Sequence, residues 1–532
     1  MPTSEANANR APSEQRLLER LGHGYELLRQ GRLDDAAAAA ESLLAEYRND
    51  QRALVFASEL ALERDDPQAA LDLNEEAIRI SAQPLPLMVK KAQLLMRMRR
   101  KQAAREAAAV AAAAAGGQWQ ALHAIGRVCN GCNDPAAARN LFEAALALAP
   151  ADPGLLHEIA AAEFYLGDTD AAAGHLERLL AQAPHAGYAL YRRSVLRRRT
   201  DADNHVADIE RRLGDPRLRP LDRGAALYAL AKELEDLGQD ERAFATLTDA
   251  AKSVRGTLRY DVAAECAAID AMRDAYTAEA LAGLSPGCTD GGAIFIVGLP
   301  RTGTTLTEVM LTRHGQARSA GELIDFGMLL SAAGARARRS QPQLSLLQAT
   351  LTADFAEIGR DYLRGAREAA HGSPVFIDKM PVNYLYCGPI RQALPNARII
   401  HVVRDPLDAC YAIYKTLFNQ AYHFSYDLEE LATYYISYQR MMRHWHAAMP
   451  GAILDVRYED LVADPEGQTR RMLDWCGLEP ARQSLAPVAI TSASALQARE
   501  PVHARSVRSS RKHLEGLKPL AERLAAAGVL DG

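Results

Sequence analysis

One turn recurs along the first half of this chain at positions 31, 65, 99, 133 and 167, each step being 34 residues. Gly31, Asp65, Arg99, Asn133 and Gly167 occupy it, and five residues later come Ala36, Ala70, Ala104, Ala138 and Ala172. A small residue at the same place in every period lets two helices approach closely, so the unit is a helical hairpin repeated in tandem. Pro150 and Pro184, also 34 residues apart, would each stop the second helix of a unit. Leu237-Gly-Gln-Asp-Glu-Arg-Ala243 resumes the pattern after a degenerate stretch. Such hairpins contact only their neighbours, so they must stack into a solenoid.

The period and the small/large pattern resemble tetratricopeptide repeats, with five in-phase units over roughly residues 15–190 and a sixth near 225–255. That resemblance implies an all-α superhelix over residues 15–275 whose concave face binds a peptide or partner protein. An architectural or dimerising role, giving a homodimer, is the equal alternative. Around Leu281-Ala-Gly-Leu-Ser-Pro-Gly-Cys-Thr-Asp-Gly-Gly292 the helical pattern collapses, and residues 276–292 read as a linker. From residue 293 to about 525 short apolar runs, such as Ala293–Val297 and Ala397–Val403, alternate with long helical stretches. That texture predicts an α/β domain with a central parallel sheet flanked by helices.

Composition narrows the partners. The 532 residues carry 62 basic and 67 acidic side chains, a net charge of −5, which gives no overall attraction to nucleic acid. Any anion must be bound locally. The polar N-terminus and the lack of about 18 consecutive apolar residues predict no membrane span and a cytoplasmic protein. Seven scattered cysteines read as reduced thiols, and Cys129-Asn-Gly-Cys132, with no second such pair nearby, reads as structural.

Chemistry is expected in the second domain. The run Ala293 to Val297, then Gly298-Leu-Pro-Arg-Thr-Gly303-Thr-Thr305, then Leu306-Thr-Glu-Val-Met-Leu311, is strand, glycine loop and helix. Loop amides turned inward above a helix N-terminus favour a phosphate. The spacing fits the nucleotide triphosphatase loop except that Thr304 stands where the phosphate-binding lysine is needed, which argues against ATP chemistry. Arg301 supplies a charge earlier in the loop.

The string Pro-Arg-Thr-Gly-Thr-Thr closely resembles the 5′-phosphosulfate loop of sulfotransferases that use 3′-phosphoadenosine-5′-phosphosulfate (PAPS), and the resemblance continues to near Leu520. It implies a P-loop-like fold, PAPS as co-substrate with PAP as product, no metal, and nucleotide contacts from Arg301, Thr302, Gly303, Thr304 and Thr305. Arg404, ending the apolar run Ile399–Val403, matches the family's 3′-phosphate arginine, but Ala412 stands where the family has a serine. Losing that hydroxyl weakens binding unless Tyr411, Lys415 or Thr416 substitutes. Tyr458, in Val456-Arg-Tyr-Glu-Asp, resembles the tyrosine that positions the adenine end.

The histidine of the small-molecule branch is missing from Asp378-Lys379-Met-Pro381. Gly321-Glu322 instead resembles the glycine-glutamate pair of tyrosylprotein sulfotransferases, which makes Glu322 the base and Lys379 the donor to the bridging oxygen. A salt bridge from Lys379 to Asp378 is the alternative. Ser494-Ala-Leu-Gln497 resembles that branch's serine and glutamine, with Ser492 an alternative to Ser494; Ser494 would donate to the sulfuryl group and Gln497 would touch the nucleotide. Arg508 and Arg511 flank two serines where the branch has a basic residue and a tryptophan, and would close over the nucleotide's anionic end or form a solvated face. His401, inside an apolar strand, reads as a core histidine.

The resemblance therefore implies an enzyme: a PAPS-dependent sulfotransferase acting on an acceptor hydroxyl, with a protein or peptide tyrosine as the leading expectation. Carbohydrate or other small acceptors fit the same loops, since the acceptor side, expected within Leu329–Arg360, carries no specific string. A further reading makes the domain a catalytically weakened scaffold, marked by Ala412 and the altered Arg508–Arg511 segment.

Overall fold

The computed structural model describes the backbone of residues 10–418, 421–479 and 504–530, with side chains from residue 14 on. The chain forms two compact units, Met1–Leu155 and Leu156–Gly532.

The first unit is a row of helical hairpins, among them Gln51–Glu63 with Pro67–Ile80, Leu85–Arg97 with Lys101–Ala114, and Trp119–Gly131 with Pro135–Leu148. Each recurring turn residue is left-handed, with φ of 71° at Gly31, 58° at Asp65, 61° at Arg99 and 60° at Asn133. The next residue's N–H returns to a carbonyl five positions back in all four turns: Arg32 to Leu27, Asp66 to Ala61, Arg100 to Leu95 and Asp134 to Cys129. That is the Schellman closure of a helix end. Asp66 and Asp134 then cap the following helix by accepting from the N–H groups of Ala69 and Ala137, and Pro67 and Pro135 take the first helical position. Ala36, Ala70, Ala104 and Ala138 are all fully buried. Cys129 and Cys132 are buried free thiols, and burial pushes the Cys129 pKa up to about 11.

In the second unit the ladder continues at Gly167 (φ 86°) and returns at Gly238 (φ 74°), followed by buried Ala172 and Ala243. The sheet that follows has five strands among the described residues: β1 (Ala293–Gly298), β2 (Arg318–Gly321), β3 (Phe376–Asp378), β4 (Arg398–Val403) and β5 (Ile453–Arg457). They pair in the order β2-β3-β1-β4-β5, and every pairing is parallel. Strand β1 is buried at all six positions, which explains its unbroken apolar run.

The boundary between compact units falls inside the repeat ladder and not at residues 276–292. Tyr228, Leu247, Val254 and Ile269, from helices of repeat texture, share one core with Phe295 of β1 and Tyr362. The glycine-rich segment is also packed. Cys288 N–H donates to the Ala393 carbonyl at 2.8 Å, and Phe376 N–H donates to the Gly292 carbonyl at 2.9 Å. Among the described residues no helix is long and apolar enough to cross a membrane.

A left-handed L-residue costs about 1–2 kcal/mol, which glycine avoids. A Cβ at Gly31 would meet nothing within 4 Å, so backbone strain alone acts there. Gly31→Ala should destabilise the first unit by about 1 kcal/mol and Arg99→Gly should stabilise it by a similar amount. Urea unfolding of the full chain followed by circular dichroism reads both, and an unchanged midpoint in each would refute the assignment.

Candidate active site

The five parallel strands bring their C-terminal ends to one edge of the sheet, where open α/β folds bind ligands. From the last residue of β1 on, positive φ at Gly298 (146°), Arg301 (66°) and Gly303 (105°) turns the loop tightly into the following helix. Helix Thr304–Thr312 starts under it, with Gly303 as its N-cap. Thr302, Thr304 and Thr305 are buried, and the Thr302 hydroxyl donates to the Leu299 carbonyl at 2.8 Å. Burial pulls the Arg301 pKa down, and the neighbouring Arg404 guanidinium adds to that fall.

Arg404 follows β4 and Tyr458 follows β5, and the two side chains meet, with the Arg404 guanidinium 4.7 Å from the centre of the Tyr458 ring. A Cβ on residue 303 would lie 2.6 Å from that ring, so only glycine allows the tyrosine to close on the loop. Arg404 donates through Nη1 to the Arg301 carbonyl at 2.9 Å and through Nη2 to the Ser506 carbonyl. Its Nε is buried without a hydrogen-bond partner among the described residues. Asp408 accepts from the backbone N–H groups of Arg508 and Ser510, which docks residues 504–513 beside Arg404. The Arg508 and Arg511 side chains are exposed, and the segment is held by its backbone groups and by Lys512 and His513, which meet Asp240 and Phe244.

Ala412 is buried on the helix Pro406–Tyr414, and its expected substitutes are engaged elsewhere. Tyr411 donates to Glu235 at 3.1 Å, Lys415 donates to the same carboxylate at 2.7 Å, and Thr416 donates to the Ala412 carbonyl at 2.8 Å.

Strands β2 and β3 supply the second cluster. Their register shifts between Ser319 and Gly321, so Ala320 is the extra residue of a bulge. Beyond it, Lys379 N–H donates to the Gly321 carbonyl at 3.0 Å, and Leu323 N–H donates to Asp378 at 3.1 Å. Glu322 is thereby fixed opposite Lys379, and the two form an ion pair. The Lys379 side chain is 3% exposed and that of Glu322 is 38% exposed. Burial pushes the Lys379 pKa down, but the Glu322 and Glu308 carboxylates outweigh it and hold the ammonium above its ordinary range. Asp378 is not the partner of Lys379: it accepts from Tyr362 and Asn383 as well as Leu323, and burial raises it to about 7. Glu308, buried and also raised, accepts from Ser319.

The structure thus brings Arg301, the loop threonines, Gly303, Arg404 and Tyr458 together, and pairs Glu322 with Lys379. Ser494, its alternative Ser492, and Gln497 lie outside the described residues. Sequence reasoning missed Asp378, Glu308 and Asp408 as positioning groups; a carboxylate closing the apolar run Val375–Ile377 was the available signal for Asp378. His401 is buried, as expected of a core histidine, but it is not isolated. It bonds Asp455 at 2.7 Å, and His446 bonds the same oxygen at 3.1 Å, a His-Asp-His group of metal-ligand type.

Residues 293–482 match the family model described as the sulfotransferase family. An uncharacterised protein of Aquifex aeolicus is 26% identical over 388 residues, 70% of this chain and 50% of its own length. Protein-tyrosine sulfotransferase A of Caenorhabditis elegans is 25% identical over 195 residues, 34% of this chain and 49% of its own. The omega-hydroxy-beta-dihydromenaquinone-9 sulfotransferase of Mycobacterium bovis is 30% identical over 108 residues, 19% of this chain and 28% of its own. The chain thus spans about half the length of the first of these relatives. The sheet, its loop and the residues gathered at its C-terminal edge belong to a domain of the sulfotransferase family, which follows a tetratricopeptide-like solenoid in the chain.

Proposed function

We propose that the site transfers the sulfuryl group of PAPS to an acceptor hydroxyl, with a protein or peptide tyrosine as the leading acceptor. The observation that carries this reading is the meeting, at one sheet edge, of a phosphate nest with Arg404 and of a Glu322–Lys379 pair. The residues fit a nucleotide with phosphates at both ends. The nest and helix N-terminus would take the 5′-phosphosulfate. Arg404, with one buried Nε still unpartnered among the described residues, would take the 3′-phosphate. Tyr458 would bound the adenine end. When bound, PAPS supplies a sulfuryl group whose bond to the bridging oxygen breaks as the acceptor oxygen bonds to sulfur, leaving PAP.

Glu322 would take the acceptor's proton, because it is the more exposed member of the ion pair and an acceptor hydroxyl can reach it. Lys379 has three N–H donors, and one is engaged by Glu322. The others would meet the charge that develops on the bridging oxygen, in a site dry enough to strengthen the attraction. Asp378 acts through the Leu323 N–H to hold the Glu322 segment in place. The similarity to protein-tyrosine sulfotransferase A supports tyrosine, and the similarity to the menaquinone sulfotransferase supports a lipid-quinone hydroxyl as the second reading. Labelled sulfate transfer from PAPS to tyrosine peptides and to hydroxylated quinones in parallel decides between them.

Glu322→Gln should lower transfer by about 10²–10⁴-fold and leave calorimetric PAP affinity near wild type. Equal turnover in the two proteins would remove Glu322 from the role of base. Because Tyr411, Lys415 and Thr416 are engaged elsewhere, Ala412→Ser should tighten PAP binding by up to about tenfold; unchanged or weaker binding would mean that position 412 does not face the nucleotide. The raised Asp378 carboxyl adds a pH signature. The folded state keeps a proton that the unfolded state releases above about 3.8, so its stabilising effect is lost as pH rises from there towards about 7. Asp378→Asn should flatten that decline in melting temperature, and a parallel decline in both proteins would count against it.

A further inference from the structure

The second unit contains a cavity of about 430 Å³ with Arg301 of the phosphate loop in its wall. That volume suits a small ligand or one side chain of a larger one. Its sides are aromatic. Phe164 and Tyr165 come from the end of helix Pro153–Leu166, Tyr188 and Tyr191 from helix Gly187–Val195, and Phe418 from the segment after Pro406–Tyr414. The rings of Phe164 and Tyr165 meet edge to face at 5.5 Å, and those of Tyr188 and Tyr191 at 6.4 Å. The wall is fixed to the catalytic domain, because Leu417 N–H donates to the Tyr191 hydroxyl at 3.2 Å.

Charge in the cavity is largely internally paired. Lys232 bonds Asp236 at 2.6 Å and Lys415 bonds Glu235 at 2.7 Å. Arg192 differs: its guanidinium lies 5.7 Å from the Phe164 ring centre, and its Nη1 is buried with no hydrogen-bond partner among the described residues. Arg192 thus brings a guanidinium to the cavity wall, the group suited to a carboxylate or carbonyl. At the other end, the Phe418 ring meets Tyr422 edge to face at 4.8 Å. Burial raises the Tyr422 phenol's pKa, and the Glu322 carboxylate raises it further, so that ring lies within electrostatic reach of the expected base. The cavity wall therefore includes Arg301 of the phosphate loop and Phe418, the ring that packs on Tyr422.

We propose that this cavity is the acceptor site, and that it takes a phenolic hydroxyl whose ring lies against aromatic walls contributed by the helical repeats, with an acceptor carboxylate or carbonyl on Arg192. Offset and edge-to-face packing favours a planar ring over an alkyl chain here. The repeats then act as specificity determinants of the enzyme. The inference rests on the PAPS reading above. In the transfer the phenolic O–H bond breaks and an O–S bond forms, the sulfur to bridging-oxygen bond breaks with its electron pair left on PAP, and the proton goes to Glu322.

The test uses the full chain with PAPS and three probes: N-acetyltyrosine, its amide, and N-acetylserine. PAP affinity by calorimetry is measured in parallel. The expected result is transfer to the two tyrosine compounds over the serine compound. Tyr188→Leu, which keeps bulk and removes the ring, and Arg192→Gln should each raise KM by about tenfold. PAP affinity should stay at the wild-type value, which also reports that the variants fold, and Arg192→Gln should erase any preference for N-acetyltyrosine over its amide. PAP binding with unmoved KM values, with PAP affinity lost in the variants, or with no transfer to tyrosine overturns this inference alone. Wild-type protein that binds no PAP overturns the donor reading and this inference with it.

Discussion

Strand β1 lies between β3 and β4, parallel to both, and the remainder of the candidate site follows from that pairing. Parallel strands cannot be joined by tight turns, so each connection leaves the C-terminal edge and returns by a crossover. Five strand ends therefore collect at one edge, and each contributes something there: the glycine loop after β1, Glu322 after β2, Lys379 after β3, Arg404 after β4 and Tyr458 after β5. These residues come from positions spread between 298 and 458, yet they need no long-range loop to meet. The sheet is a positioning device first and a core second.

What holds the loops at that edge is a set of buried carboxylates acting on backbone groups. Asp378 takes the Leu323 N–H and steadies the segment of Glu322, and Asp408 takes two N–H groups of the C-terminal segment and sets it beside Arg404. Each carboxylate is desolvated, so it would be costly unless its partners were satisfied, and the partners are backbone groups that would otherwise be orphaned. The arrangement makes each loop's position depend on one acidic side chain from a neighbouring element. It also leaves Glu322 and Arg404 themselves with acceptor or donor capacity beyond the bonds they make.

The repeat ladder was readable because its cause is local. A helix end that closes through a left-handed residue, followed by an Asp cap and a proline, is written in a few adjacent letters, and each recurrence repeats the letters. The succession of strand, glycine loop and helix from Ala293 to Thr312 was readable for the same reason. What could not be read were groups whose partners lie far along the chain. Lys379 faces Glu322, 57 positions away, and not the adjacent Asp378, because the strand end separates neighbours onto opposite sides. Glu235, 180 positions from Lys415, takes the donors that had been expected to compensate for Ala412. Composition is ambiguous here too: glycines at 287 and 292 mark chain pressed against carbonyls, the second also turned left-handed, a tight fit that has the same letters as a loose linker.

The bulge at Ala320 carries a consequence of parity. Side chains alternate across a strand, so a strand paired without the extra residue would set Ala320, and not Gly321, opposite Asp378. The acidic side chain at 322 would then leave the sheet on the opposite face from the lysine. One inserted residue thus decides whether two charges become an ion pair or two unrelated groups, and a chain with the same motif letters but no bulge would keep the fold without the pair.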